Sequence, residues 1–230
     1  MTRFTSYLFG GLKQRWRRQR RRQKVGRAYD MALEIARQLP RGACILDVGC
    51  GNGFIAQHLA ALLRSKVVGL DVAATTDAAI DYVRYDGSRF PVRAASFDVV
   101  LLCYVLHHAA DAGLVLAEVS RVLKTGGLAI IYEDMPRAGW DRMVCWSHNR
   151  RWEPRTGRCS FRLDYAWHQL FKAGGYEVIS QRRLSRWRNL AHPVSRQRFM
   201  LRAKQAQAVE PARVVNNAAS GSPGEIYVAA

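Results

Sequence analysis

Ile45-Leu46-Asp47-Val48-Gly49-Cys50-Gly51-Asn52-Gly53 is a short apolar strand running into a turn with glycine at alternate positions. Glycine accepts left-handed backbone angles, and without a Cβ it lets the chain come close to a ligand. Such a turn alone is weak evidence, because several ligand classes use one. The spacing beyond it is more informative. Asp71 closes the next apolar run, Lys66 to Asp71, 22 residues after Gly49. That distance predicts a carboxylate over the turn, accepting from the hydroxyls of a ribose. Gly53 is the fifth residue counted from Gly49, and Asp47 stands two residues before the first glycine. The dinucleotide fingerprint instead places its third glycine sixth, and a pyrophosphate needs open helix N–H groups, so a nicotinamide dinucleotide is disfavoured.

Outward from this turn, short apolar runs alternate with helical periodicity, the pattern of a parallel sheet covered on both faces. Strands are predicted over 43–48, 66–71, 81–86, 97–103, 128–133, 176–184 and 197–204, giving seven. Helices are predicted over 28–39, 53–63, 110–123 and 163–173, the third ending in Lys124-Thr125-Gly126-Gly127 with glycine as a left-handed cap. The expected organisation is a basic arm over 1–27, one α/β domain over 28–204 with a lid insertion over about 135–162, and a disordered tail over 205–230.

At 230 residues and 49% hydrophobic, the chain can bury a full core without disulfides or metals. Its five cysteines, none at C-x-x-C spacing, point to a reduced, cytoplasmic setting. The longest apolar run, Val99 to Leu106, is eight residues, against the roughly 20 of a membrane span. The net charge of +18 is uneven: residues 1–27 carry ten basic and no acidic side chains, 28–136 nine against twelve, and 137–204 sixteen against four. A near-neutral centre flanked by cationic segments implies an anionic partner, either nucleic acid or a lipid headgroup surface.

Several segments together resemble the class I S-adenosylmethionine-dependent methyltransferases, in particular the branch of ubiquinone and menaquinone biosynthesis enzymes. They are the glycine turn, Gly69-Leu70-Asp71, Tyr85-Asp86-Gly87, Phe97-Asp98-Val99-Val100, Val105-Leu106-His107-His108 and Arg121-Val122-Leu123-Lys124-Thr125-Gly126-Gly127, within residues 43–134. The resemblance implies a Rossmann-like, seven-stranded, mostly parallel sheet whose last strand is antiparallel, with S-adenosyl-L-methionine as cofactor. It further implies that Gly49, Cys50, Gly51 and Gly53 line the methionine portion and ribose. Asp47 would orient the amino group, and Asp71 would hold the ribose with Val72 beside it. Asp86 and Gly87 would meet the adenine, and Cys103 and Tyr104 would complete the cofactor site at the end of the fourth strand.

Methyl transfer is an in-line displacement, so much of its catalysis is positioning and water exclusion, and a base is needed only for an alcohol or amine. The candidates for that proton work are His107, His108 and Glu133, at the carboxyl ends of strands where α/β folds bind ligands. Adjacent histidines project differently and no third ligand has suitable spacing, so no metal site is expected. The turn after the fourth strand is Cys103-Tyr104-Val105-Leu106 rather than Asn-Pro-Pro-Tyr, which argues against the amino-methylating DNA and glutamine enzymes. The expected acceptor is a small or lipid-like molecule. Phe4, Tyr7, Leu8 and Phe9 beside the arginines would then anchor the chain peripherally at an anionic membrane surface. The alternatives are an RNA methyltransferase whose arm and lid contact phosphates, or a non-catalytic binding module.

Overall fold

The computed structural model describes residues 2–185 and 192–204. The expected tail over 205–230 lies outside the described residues, as do the side chains of Phe4, Tyr7, Leu8 and Phe9. Seven strands, β1 (Ile45–Val48), β2 (Val67–Asp71), β3 (Asp81–Arg84), β4 (Phe97–Cys103), β5 (Leu123–Met135), β6 (Tyr176–Leu184) and β7 (Ser195–Ala203), form one sheet in the order β3-β2-β1-β4-β5-β7-β6. The first five run parallel, while β7 inserts antiparallel between β5 and β6. This is a Rossmann-like α/β sheet, mostly parallel with one antiparallel insertion. Strand order reverses beside β1, which leaves a crevice above the carboxyl ends of β1 and β4.

Alternate residues of the central strands feed two cores. Leu46, Val48, Val100 and Leu102 pack with Val115, Leu116, Val119, Trp167 and Phe171 on one face. Ile45, Val99 and Leu101 pack with Ala32, Ile35, Ala56, Leu59 and Leu63 on the other. The first face is covered by α3 (Ala112–Val122) and α5 (Asp164–Ala173), the second by α1 (Thr2–Ala36) and α2 (Phe54–Leu63).

Several boundaries depart from the sequence reading. The basic stretch and the packing helix are one helix, α1, of 35 residues, roughly 52 Å long at about 1.5 Å per residue. Arginine, glutamine and lysine are strong helix formers, and Ala32 and Ile35, both fully buried, tie down the far end. Helix α3 does not end on a left-handed glycine: its cap is Leu123 in extended geometry, and the chain passes directly into β5. Gly126, at φ 77°, serves instead in an irregularity where the β4–β5 register shifts, and Lys124 pairs with Asp98 at 3.0 Å. The segment expected as a lid contains a full helix, α4 (Gly139–Thr156). Among the described residues no helix is long and apolar enough to cross a membrane.

Candidate active site

The turn after β1 is folded by backbone bonds to β2: the N–H groups of Gly49 and Cys50 both donate to Leu70 O, at 2.6 and 3.2 Å. Gly49, Gly51 and Gly53 all take positive φ, at 67°, 54° and 74°. Their surroundings differ. A Cβ on Gly49 would stand 2.4 Å from Val105, and one on Gly53 would stand 2.6 Å from Thr76, so these two permit close packing. A Cβ on Gly51 would meet nothing within 4 Å, so this glycine faces open space. Asp71 accepts from Gly51 N–H at 2.7 Å and from Ala73 N–H at 3.0 Å, which locks the turn to the end of β2.

Asp47, at the carboxyl half of β1, is 2% exposed, and its Oδ2 has no hydrogen-bond partner. Burial, helped by the charge of Asp71, pushes its carboxyl up to about 7. Burial likewise raises the Cys50 and Cys103 thiols and the Tyr104 phenol. Tyr104 follows β4 with φ 62°, a left-handed angle that a bulky residue takes only under constraint. Its N–H donates to Tyr132 O at 2.8 Å, and the Arg196 guanidinium lies 5.1 Å from its ring centre. Val72 is half exposed, with Cγ1 3.7 Å from where a Cβ on Gly87 would sit. Asp86 is exposed and accepts from both the N–H and the hydroxyl of Ser88, at 2.9 and 2.6 Å, which lowers its carboxyl.

Four imidazoles converge beyond Tyr104. His107, 1% exposed, holds Glu133 Oε2 through Nδ1 at 2.6 Å, while Glu133 Oε1 accepts from Leu106 N–H at 2.8 Å. Burial alone would depress the His107 imidazole, but the charge and hydrogen bond of Glu133 outweigh it and raise the value. The Nε2 atoms of His108 and His148 lie 3.1 Å apart. Burial, with the neighbouring imidazoles, lowers His108 to about 3 and His148 to about 4. His192 Nε2 contacts Asp134 Oδ2 at 2.9 Å, and the Arg196 guanidinium lies 3.3 Å from Asp134 Oδ1. Burial raises the Asp134 carboxyl, but the hydrogen bond from His192 and the charge of Arg196 prevail and hold it low.

Helix α4 brings His148 here because Asp141, Cys145, His148 and Trp152 recur on one face. Asp141 pins the start of the helix, accepting from Ala138 N–H and from the N–H and hydroxyl of Ser195, all at 2.9 Å. Trp146, on another face, is 61% exposed. Trp152 is the tryptophan that reaches the cluster, 5.6 Å from His108 and 6.0 Å from His148 between ring centres.

Cys50, Gly53, Tyr104, His107 and His108 thus line one cavity of about 1060 Å³, joined by residues of α1, α4, β6 and the start of β7. Asp47, Gly49, Gly51, Cys103 and Glu133 do not line it, nor do Asp71, Val72, Asp86 and Gly87, which sit toward β2 and β3. His148, His192 and Arg196 were not singled out in the sequence, and the α1 wall, including Glu34 and Arg27, was not anticipated. The i, i+4, i+7, i+11 spacing from Asp141 to Trp152 is the one signal that could have found His148. It also supplies the third imidazole that local spacing beside His107 and His108 does not offer.

Residues 46–131 match the family described as a methyltransferase domain. The chain is similar to the dimethylglycine N-methyltransferase of Parasynechococcus marenigrum, 32% identical over 120 residues that cover 46% of this chain and 43% of that protein. It is also similar to the ubiquinone biosynthesis O-methyltransferase of Bartonella quintana, 32% identical over 98 residues, covering 38% and 39% respectively. The chain therefore spans less than half the length of these curated relatives. A SAM-dependent methyltransferase structure from Thermotoga maritima superposes with a TM-score of 0.60 at 19% identity, covering 85% of this chain and 97% of that one. That likeness speaks to the fold.

Proposed function

We propose that this chain, whose residues 46–131 match the family described as a methyltransferase domain, is an S-adenosylmethionine-dependent methyltransferase acting on an anionic small-molecule or lipid-like acceptor held in the cavity beside the histidine cluster. The observation that carries this reading is the charge of the cavity wall. Among the described residues, Lys24 and Arg27 of α1, Arg37 just beyond it, and Arg151, Arg182 and Arg196 line the cavity together with three carboxylates, Asp30, Glu34 and Asp134. Such a wall attracts and orients a negative group. Its volume, about 1060 Å³, is at the upper end of ordinary ligand pockets, and Cys50, Asn52 and Gly53 join it to the glycine turn.

The turn fits the cofactor on two counts. The unpartnered Asp47 Oδ2 leaves an acceptor for an amino group, and the open side of Gly51 gives a ligand room to approach the backbone. S-adenosylmethionine, when bound, supplies a methyl group on a sulfonium. The chain supplies the rest. The glycine turn and Asp71 fix the donor side, the constrained Tyr104 and Arg196 shape the acceptor side, and α1 and α4 exclude water. An anionic acceptor has no proton to lose, and the contact of Nδ1 with Glu133 holds the His107 ring in place at the cavity wall.

The exposed basic side chains of α1, Arg15, Arg18, Arg20, Arg21 and Arg22 among them, favour a second reading in which RNA phosphates are gripped beside the same cavity. Labelled S-adenosylmethionine incubated with the protein and a cell extract, then split into organic-soluble, small-molecule, protein and RNA fractions, separates the two. Label in the organic-soluble or small-molecule fraction is expected. Label confined to RNA would replace the first reading with the second, and an absence of label despite calorimetric binding of the demethylated cofactor would leave a binding module.

A further inference from the structure

We infer that His107, His108 and His148 form a three-imidazole site for a divalent transition metal of the zinc class, with its open coordination position turned into the acceptor cavity. The ligand atoms of the three side chains all lie within 4.8 Å of one another. A tetrahedral ion with metal–nitrogen bonds of about 2.0–2.1 Å needs its ligand atoms about 3.3 Å apart. The His108 and His148 Nε2 atoms already stand at 3.1 Å, close to that edge.

Three further features belong to metal sites. His107 Nε2 is buried and has no hydrogen-bond partner; an orphaned polar atom carries a desolvation cost that an ion would offset. The other nitrogens of two ligands are held from behind. Glu133 takes His107 Nδ1 at 2.6 Å, and Thr156 Oγ1 and Cys159 Sγ stand 3.2 and 3.3 Å from His108 Nδ1. Outer-sphere partners of this kind fix ring orientation and direct Nε2 to the metal. Phe161, stacked on His107 at 4.6 Å, and Trp152 supply an apolar rim that keeps water from competing. Imidazole donors suit zinc, copper, nickel and iron over calcium or magnesium.

Three protein ligands with a fourth position open is the arrangement of a working metal, not a closed structural one. The open side faces the cavity that these histidines line, so an acceptor oxygen or sulfur can enter the fourth position as its anion. That role for the metal rests on the methyltransferase reading, whereas the site itself does not.

The test uses full-length protein purified without a histidine tag, titrated with Co(II) and followed by its visible absorption, with calorimetry for the demethylated cofactor run alongside. One Co(II) per chain with a tetrahedral spectrum is expected. His148→Ala should weaken uptake by more than about 100-fold, and Glu133→Gln by about 10–100-fold, with cofactor binding retained in both. If His148→Ala fails to fold, His148→Gln takes its place. Cofactor binding without metal uptake by the wild type would overturn the metal site and leave the methyltransferase reading standing. Uptake undiminished by loss of His148 would overturn it as well. Metal uptake lost with His148, in a protein that does not bind the cofactor, would uphold the site and sink the methyltransferase reading.

Discussion

Replacing Asp47 with asparagine should stabilise the cofactor-free protein, and more so as pH rises. The carboxyl lies fully buried beside the glycine turn, raised from 3.8 to about 7 with burial as the main cause. A raised carboxyl means that the folded state binds the proton more tightly than the unfolded chain, so this residue's penalty begins above pH 3.8, grows up to about 7, and is constant beyond. At pH 8 the full difference applies, about 4 kcal/mol at 1.36 kcal/mol per pH unit. At pH 5 the folded group is still protonated and the penalty is roughly 1.5–2 kcal/mol by the same relation. Asparagine keeps the shape and does not titrate, so its own desolvation cost enters equally at both values. Urea unfolding of wild type and Asp47→Asn should therefore give a change in stability about 2 kcal/mol more favourable at pH 8 than at pH 5, with an unchanged denaturant slope. A difference independent of pH, or one that grows less favourable toward pH 8, would refute the picture of an isolated carboxylate waiting for a ligand. The same variant should lose affinity for the demethylated cofactor by calorimetry.

Gly51→Ala places a methyl group at φ 54° in the open side of the turn; it should cost about 1–2 kcal/mol in stability and weaken calorimetric cofactor affinity, and unchanged affinity would remove Gly51 from the cradle. Asp71→Ala frees the Gly51 N–H and takes away the carboxylate at the end of β2, so donor binding should weaken by about 1–3 kcal/mol. Glu133→Gln removes the charge that lifts His107 while its burial remains, so the imidazole should titrate below its ordinary value of 6.5 in NMR of the metal-free variant. In the wild type this pair contributes stability that is present below the unfolded imidazole value and lost as pH climbs through the folded one, which pH-dependent melting would record.

The glycine turn and the five parallel strands were legible because their signals are local: an apolar run, a glycine spacing, an acid at the next strand end. Asp47, the three glycines and the candidates His107, His108 and Glu133 follow from where those strands stop, although the pairing of His107 with Glu133 does not. The rest depended on partners far away in sequence. His148 reaches His108 across 40 residues from a helix that carries charged or large apolar side chains on several faces, so its periodicity is weak. Arg196 reaches Asp134 across 62 residues, a meeting set by the antiparallel register Asp134↔Arg196 and by no motif. The basic segment looked unfit for packing by itself, yet helix propensity and a buried anchor at Ala32 and Ile35 extend it along the cavity. Asp86 shows the opposite difficulty: a strand-end acid followed by Gly87 fits either a ligand contact or a turn, and its carboxylate is engaged by Ser88.

The insertion of β7 between β5 and β6 has a bearing on how a newly made chain matures. Among the described residues strand β6 borders only β7, so it has nowhere to dock until its successor arrives, and the two join the sheet together. Parallel threading would have carried the start of β7 to the far side of the molecule; reversal brings Arg196 to the edge where the other strands finish. A polypeptide stopped short of residue 192 would retain the glycine loop while lacking one wall of the chamber, so ligand recognition and a complete reaction vessel emerge at different stages of synthesis.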